Sequence, residues 1–481
     1  MAALGGIYGR FFLKSNGRRM KIVFITPTDD IRRSRVYRLG NFLYVRPNAI
    51  TGPLVLGHIL KDAGHEVEVY EELFANVPYE KLKDTDVFCL YTMTSNASRA
   101  YQLADELHKK TKARVLIGGM HASVMPQEAA EHADQVVVGE AETVILDVIE
   151  GRITHKIVQA ECLKDLDKVP FPDYSLLKTP CVEANVLSTR GCPFCCSFCT
   201  TSRMYHPYRE RSVDNVIEEI RYYKSLGFKY MNFEDDNFTA NKERAKEICR
   251  RMIAEGLTFK DSFFFGRTDL AEDEEMLSLF EQAHLTCVLV GIESLNQASL
   301  DEVNKHQKIA DIKACAKALS KHKIRLIASL VLGIDTDGPE DIKRNVDFAK
   351  SINAYTLQPA VLTPFPGTAV YQQYERENRM ITHDWSLFDM MNVTFLPKNM
   401  TPWELQKQFF SAAKRFYNFI GSFKIMRLFG INYGLRRLGL WFVLHVASVW
   451  ENIQASTQKD SYMYKLKHWE AQTIEGERVC E

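Results

Sequence analysis

Thr189-Arg190-Gly191-Cys192-Pro193-Phe194-Cys195-Cys196-Ser197-Phe198-Cys199-Thr200 is the most informative run in this sequence. Cys192, Cys196 and Cys199 have the spacing C-x3-C-x2-C on a loop containing Gly and Pro, where thiolates can converge on one metal centre. Three thiolates leave one iron of a [4Fe–4S] cluster without a protein ligand, and a small molecule can occupy that corner. A zinc site would ask for four ligands, usually two separated pairs, and no second Cys/His pair follows at ribbon spacing. Buried structural thiols are common, but four cysteines within eight residues on a turn are not. Cys195 is the extra thiol. It competes with Cys196, and the spacing of the other three favours Cys196.

Outward from this loop, residues 181–400 alternate between strands and long amphipathic helices. A strand at Ala184–Leu187 precedes the cysteines. A helix follows from Ser212, with Val213, Val216, Ile217 and Ile220 on one face and Gly227 past its end. Later strands are expected at Tyr230–Phe233, Phe263–Gly266, Thr286–Gly291, Arg325–Gly333 and Ala354–Leu362. The intervening helices are Lys242–Ala254, Asp273–Ala283, Ile309–His322 and Glu340–Ser351. Six such units fit a partial (β/α)6 barrel of the TIM type, whose sites lie at the carboxyl ends of the strands.

The residues at those ends are Glu234-Asp235-Asp236-Asn237, Arg267-Thr-Asp269, Gly291-Ile-Glu293-Ser294, Gly333-Ile-Asp335 and Thr363-Pro-Phe-Pro-Gly367-Thr368. Together with C-x3-C-x2-C, this order resembles the radical SAM (S-adenosylmethionine) superfamily. Asp235-Asp236-Asn-Phe238-Thr239 and the Pro-x-Pro-Gly-Thr ending resemble its cobalamin-type members. The resemblance implies that Cys192, Cys196 and Cys199 hold the cluster and that Phe198 lies against the adenine. It implies that Glu234, Asp235 and Asp236 receive the ammonium of S-adenosylmethionine through charge-assisted hydrogen bonds. Arg267, Glu293 and Ser294 are placed for its carboxylate and ribose hydroxyls. Against these stand a solvated acidic turn capping a helix and ordinary surface or packing roles for the others.

Residues 20–151 form an earlier alternating unit. Strands are expected at Lys21–Thr26, Glu66–Tyr70, Val87–Tyr91, Arg114–Ile117 and Gln135–Val138, with helices at Gly52–Ala63 and Arg99–Lys109. This is a Rossmann-like parallel sheet covered on both faces, which binds ligands beyond its carboxyl strand ends. The loops there carry Thr94 and Ser95, Gly118 and Gly119, and Gly139 and Glu140, small or polar residues that admit a large cofactor; a Gly-Gly pair is equally a tight turn. The strand–GGxH–GE-x-E order resembles the cobalamin-binding domain ahead of many radical SAM barrels. Its frequent Asp-x-His-x-x-Gly motif is absent, so bound cobalamin is expected base-off without a histidine ligand. Residues 152–180 read as a linker stiffened by Pro170 and Pro172.

The region 401–481 turns helical, with a capped start at Thr401-Pro402. From Phe416 to Trp450, Lys424, Arg427, Arg436 and Arg437 interleave with large apolar residues. That pattern suits a peripheral contact with the inner face of a membrane, a cover over the barrel mouth, or a packed helical cap. Gly439–Trp450 is too short to span a bilayer.

Composition is consistent with a multidomain globular protein: 481 residues, 46% hydrophobic, 25% charged and formally neutral. Neutrality gives no global field for nucleic acid, and eleven cysteines in this length are no disulfide scaffold. The first 19 residues lack the apolar core of a signal peptide, so a cytoplasmic location is expected. By resemblance, closest to the hopanoid-methylating and Mg-protoporphyrin-cyclase-like branch, the expected reaction is C-methylation or other C–C bond formation at an unactivated carbon. The substrate would be a small molecule, a lipid or tetrapyrrole, and a ferredoxin or flavodoxin would supply electrons. The alternatives are a radical SAM cyclase or rearrangement enzyme, and a non-catalytic iron–sulfur or cobalamin-binding regulator. An RNA methylthiotransferase would carry three more cysteines in its first domain, where this chain has only Cys89.

Overall fold

The computed structural model describes residues 18–28 and 46–469. The N-terminal segment read as unlike a signal peptide lies almost wholly outside them. The first unit is a six-stranded, all-parallel sheet in the order β2-β1-β3-β4-β5-β6. Its strands are β1 (Lys21–Thr26), β2 (Glu66–Glu71), β3 (Val87–Tyr91), β4 (Arg114–Gly118), β5 (Gln135–Val138) and β6 (Ile157–Gln159). Ile22 to Ile25 are all buried, as expected for a central parallel strand covered on both faces. The order reverses between β1 and β3, which opens a crevice at their carboxyl ends.

β6 carries this sheet past residue 151, the boundary expected from the sequence. The Pro-rich segment after β6 is packed rather than loose. Asp173 takes Lys61 Nζ at 2.6 Å, and His58 Nδ1 bonds the Phe171 carbonyl at 2.7 Å, both against the Thr51–Asp62 helix.

The second unit has β7 (Glu183–Val186), then a short antiparallel pair, β8 (Thr189–Arg190) and β9 (Arg209–Glu210). It continues with β10 (Tyr230–Phe233), β11 (Asp261–Gly266), β12 (Cys287–Glu293), β13 (Arg325–Leu332) and β14 (Thr356–Val361). The sheet runs β14-β13-β12-β11-β10-β7, all parallel, with helices between successive strands: an open six-stranded barrel. Its core joins Val186, Phe233, Phe264, Val290 and Leu330 to inward faces of the helices, such as Val216, Ile217 and Ile220 of Val213–Ser225.

The C-terminal helices Pro402–Phe416, Phe419–Phe429, Ile431–Thr457 and Tyr462–Lys467 pack beside β14. Arg437 donates to the carbonyls of Ala354 (2.9 Å) and Tyr355 (2.6 Å), and the Tyr433 ring meets Tyr355. Those contacts lie at the amino ends of β13 and β14, whereas Leu405 packs on Gly333 just past the carboxyl end of β13, so the tail helices run along the side of β14. No described helix is long and apolar enough to cross a membrane.

Candidate active site

The cysteine loop is held at its base. Gly191 has φ +83°, and a Cβ there would stand 2.1 Å from the Tyr205 carbonyl, so only glycine fits. Asp235 is fully buried and accepts from Ser188 Oγ (2.9 Å), Thr189 N (2.5 Å) and Thr189 Oγ1 (2.6 Å). Its carboxylate braces the turn from β7 into the loop, which corrects its expected place as a cofactor contact. Ser197 N donates to Val303 O and Cys199 N to Cys196 O, each at 3.1 Å, seating the loop on the barrel rim.

Within the loop Cys196 is buried and Cys195 exposed, with the Cys195 carbonyl taken by Asn304 Nδ2 at 3.0 Å. Burial, helped by Asp236, Cys199 and Cys196, pushes the Cys192 thiol up to about 11. Burial also raises Cys196, opposed by Lys305 and Arg267. Among the described residues no three His, Cys, Asp or Glu side chains converge on a single-ion site. Ligands to a cubane cluster bind separate irons, which three thiols spread along one loop can supply. Phe198 is half-buried against the barrel core.

The other strand-end residues divide. Glu234 and Asp236 line a cavity of about 650 Å³. Burial, helped by Glu183, Asp235 and Asp236, pushes the Glu234 carboxyl up to about 7. Asp236 accepts from Thr201 Oγ1 at 2.8 Å and is likewise raised by burial. Arg267 stands 3.8 Å over the Phe194 ring and donates to the carbonyls of Lys305 and His306. It thus supports the cysteine loop from below. Glu293 adopts φ +60° at a bulge in β12 and takes Lys305 Nζ at 2.6 Å. Ser294 is wholly buried, donating to Asp337 at 3.1 Å and accepting from Asn296 N and Asn345 Nδ2. Its hydroxyl is spent inside the barrel wall, so its expected ribose contact is corrected.

The same cavity extends into the first unit, past Gly118, Gly119, Gly139 and Glu140 to Phe24, Leu116, Val137 and Ile145. Gly119 has φ +102°, and a Cβ would fall 2.6 Å from Thr92 O; Gly139 has φ +87°. Close backbone approach at these turns is what a bulky, flat ligand requires.

Thr94 and Ser95 do not line the cavity. The Thr94 hydroxyl turns away to buried His121 (3.2 Å), which corrects that pair as cofactor contacts. Glu140 lines the cavity, but its carboxylate is engaged by Arg209, Arg190 and Leu163 N. No histidine is among the described residues lining the cavity. His58 and His121 face protein partners, and buried His65 stands 3.5 Å from Glu150.

Sequence reasoning missed Tyr91, Tyr205, Arg190 and Ile50–Pro53, all on the cavity wall. Burial pushes Tyr205 up to about 12. Only proximity to a motif (Arg190 two residues before Cys192) could have flagged any of them.

Residues 186–349 match the radical SAM superfamily and residues 51–149 a B12-binding domain. The chain is 27% identical to bacteriochlorophyllide d C-12(1)-methyltransferase of Chlorobaculum tepidum, over 83% of this chain and 89% of that one. It is 25% identical to the anaerobic magnesium-protoporphyrin IX monomethyl ester cyclase of Cereibacter sphaeroides (63% and 55% covered). With the hopanoid C-2 methylase of Rhodopseudomonas palustris it shares 24% (56% and 54%). Its fold matches a cobalamin-dependent S-adenosylmethionine radical enzyme solved with aqua-cobalamin and S-adenosylmethionine bound. The TM-score there is 0.62 at 14% identity, covering 94% of this chain and 84% of that one. The chain thus carries a B12-binding domain ahead of a radical SAM domain, and these imply a [4Fe–4S] cluster, S-adenosylmethionine and cobalamin as cofactors.

Proposed function

We propose that this enzyme methylates an unactivated carbon of an apolar small molecule of the tetrapyrrole or lipid class. One observation carries the reading: a single cavity is walled by the Gly118–Gly119 and Gly139 turns on one side and by Thr189–Gly191, Glu234 and Asp236 on the other. When bound, the cluster and S-adenosylmethionine supply a 5′-deoxyadenosyl radical and cobalamin supplies a methyl group. Cys192, Cys196 and Cys199 would hold the cluster, and Cys195 would not. Glu234, half-buried, and Asp236, exposed at the cavity wall, would accept the ammonium of S-adenosylmethionine.

Arg267, Lys305 and Glu293 orient this side from behind the loop, and Phe198 would flank the adenine. Gly118, Gly119 and Gly139 would bring backbone against cobalamin, with no histidine beneath the cobalt. The apolar part of the wall, Phe24, Leu116, Val137 and Ile145, would keep water from a radical. Electrons would come from a ferredoxin or flavodoxin, and residues 416–450 would hold the enzyme peripherally at the inner face of a membrane.

The test is anaerobic reconstitution with iron, sulfide and hydroxocobalamin. S-adenosylmethionine, reductant and separate tetrapyrrole and lipid extracts are then added. 5′-Deoxyadenosine formed together with a methylated product in one extract supports the reading. Neither product from a fully loaded protein points to the non-catalytic regulator.

A further inference from the structure

The Ile431–Thr457 helix turns an apolar stripe to solvent. Ile431, Leu435, Phe442, Val446, Val449 and Ile453 recur at intervals of 4, 7, 4, 3 and 4 residues, which is one face of a helix, and all are exposed. Ile431 and Phe442 are 69% and 63% exposed. The preceding helix adds Phe419 and Ile420, at 60% and 75%. Scattered apolar residues on a surface need no explanation, whereas a contiguous stripe of this kind marks a contact.

The opposite side of the same pair is locked. Gly434 sits so close to the Phe419–Phe429 helix that a Cβ would lie 2.0 Å from Met426 Cγ and 2.8 Å from Ser422 O. Arg437 is buried, donating to carbonyls of residues 354, 355 and 416. The stripe therefore cannot turn inward to hide.

Charge identifies the occupant. Between Glu404 and Glu451 the sequence holds no Asp or Glu, although the whole chain is formally neutral. Lys424, Arg427 and Arg436 are exposed and, among the described residues, enter no salt bridge. A second copy packed stripe to stripe would bring these cations together unpaired. An anionic bilayer surface satisfies both features at once, apolar side chains in the acyl boundary and cations at headgroup level. No described helix is long and apolar enough to cross.

We propose that the Phe419–Phe429 and Ile431–Thr457 helices form an interfacial anchor lying in the headgroup region of an anionic membrane. This rests on the peripheral-membrane part of the proposed function and fixes its geometry. The anchor is tied to the amino ends of β13 and β14, while the cysteine loop is at the carboxyl end of β7.

The experiment uses the full chain without cofactors, so it does not depend on the chemistry. The protein is floated at low salt with phosphatidylcholine vesicles, and with vesicles also containing phosphatidylglycerol. Sedimentation of the lipid-free protein is measured alongside. Wild type is expected to float only with the anionic vesicles. Phe442→Glu/Val446→Glu should lower bound protein about tenfold or more, as should Lys424→Glu/Arg427→Glu/Arg436→Glu. Lys109→Glu, on a remote surface, should float as wild type does. All changed residues are exposed, and unchanged circular dichroism verifies folding. Wild type remaining at the bottom, or binding indifferent to both multiple variants, overturns the proposal. So does a lipid-free dimer that Phe442→Glu/Val446→Glu splits without any vesicle binding, since a second copy would then own the stripe. Vesicle binding without 5′-deoxyadenosine formation in the reconstituted enzyme would sink the catalytic reading alone.

Discussion

Glu140, on the loop after β5, and Arg209, on β9, form a buried two-pronged ion pair, with Oε1–Nη2 at 2.5 Å and Oε2–Nη1 at 2.9 Å. Arg190, two residues before Cys192, reaches the same carboxylate at 3.3 Å and also pairs with Glu142. These contacts join the B12-binding sheet to both arms of the small hairpin that closes the cysteine loop.

Arg209→Ala should therefore harm both cofactor sites at once. It leaves Glu140 short of its main partner, and breaking a buried pair this way costs about 3–5 kcal/mol. The melting temperature should fall, and iron retention and cobalamin affinity should fall together. Loss of iron with cobalamin binding untouched would show that the pair does not couple the two units.

For the thiols, Cys192→Ala, Cys196→Ala and Cys199→Ala should each lose the cluster after anaerobic reconstitution. Cys195→Ala, altering an exposed thiol, should keep it. Iron analysis and the absorbance of the reconstituted protein check this. A full cluster in Cys196→Ala, with loss in Cys195→Ala, reverses the ligand assignment.

Glu71 predicts a pH dependence of stability. Burial pushes its carboxyl from 4.5 up to about 8, even though it accepts from Ile50 N at 3.1 Å. The folded state therefore holds a proton that the unfolded chain releases. Its contribution is fully present below about 4.5 and is lost as pH rises towards 8, by at most about 1.4 kcal/mol per pH unit. Glu71→Gln should flatten this part of the profile in denaturant titrations from pH 5 to 8. An unchanged slope would show that Glu71 ionises normally.

Gly118 and Gly119 should respond differently to alanine. At Gly119 the left-handed φ and the 2.6 Å approach to Thr92 O make a methyl group strained, costing about 1–3 kcal/mol. At Gly118 the nearest atom to a Cβ is Val137 O at 3.6 Å, an ordinary contact. Gly119→Ala should thus melt lower and bind hydroxocobalamin more weakly, while Gly118→Ala melts close to wild type. Equal melting temperatures would contradict the strain at 119.

Local pattern made much of this protein legible. Lys242–Ala254 is the helix that its apolar spacing predicts, and Gly227, expected past the end of its helix, follows it with positive φ. Such features depend on neighbours a few residues away, so sequence carries them. The spacing Cys192, Cys196 and Cys199 is equally local and was enough to indicate a cluster loop. What the residues at strand ends do was not legible. Glu234, Asp235 and Asp236 are adjacent and chemically alike. Yet Glu234 and Asp236 border the cavity, while Asp235 turns to Ser188 and Thr189, just past the end of the neighbouring strand β7. Thr94 turns to His121, and Tyr91 and Ile50 reach the wall that Thr94 was expected to line. The sequence by itself determined two parallel α/β units, a three-thiol loop and a helical tail, because periodicity and spacing are written along the chain. Only the tertiary structure decided which carboxylates face the cavity, that Glu140 joins the two units, and which side of the tail is left bare. Those outcomes depend on hydrogen-bond partners and packing surfaces brought from distant parts of the chain.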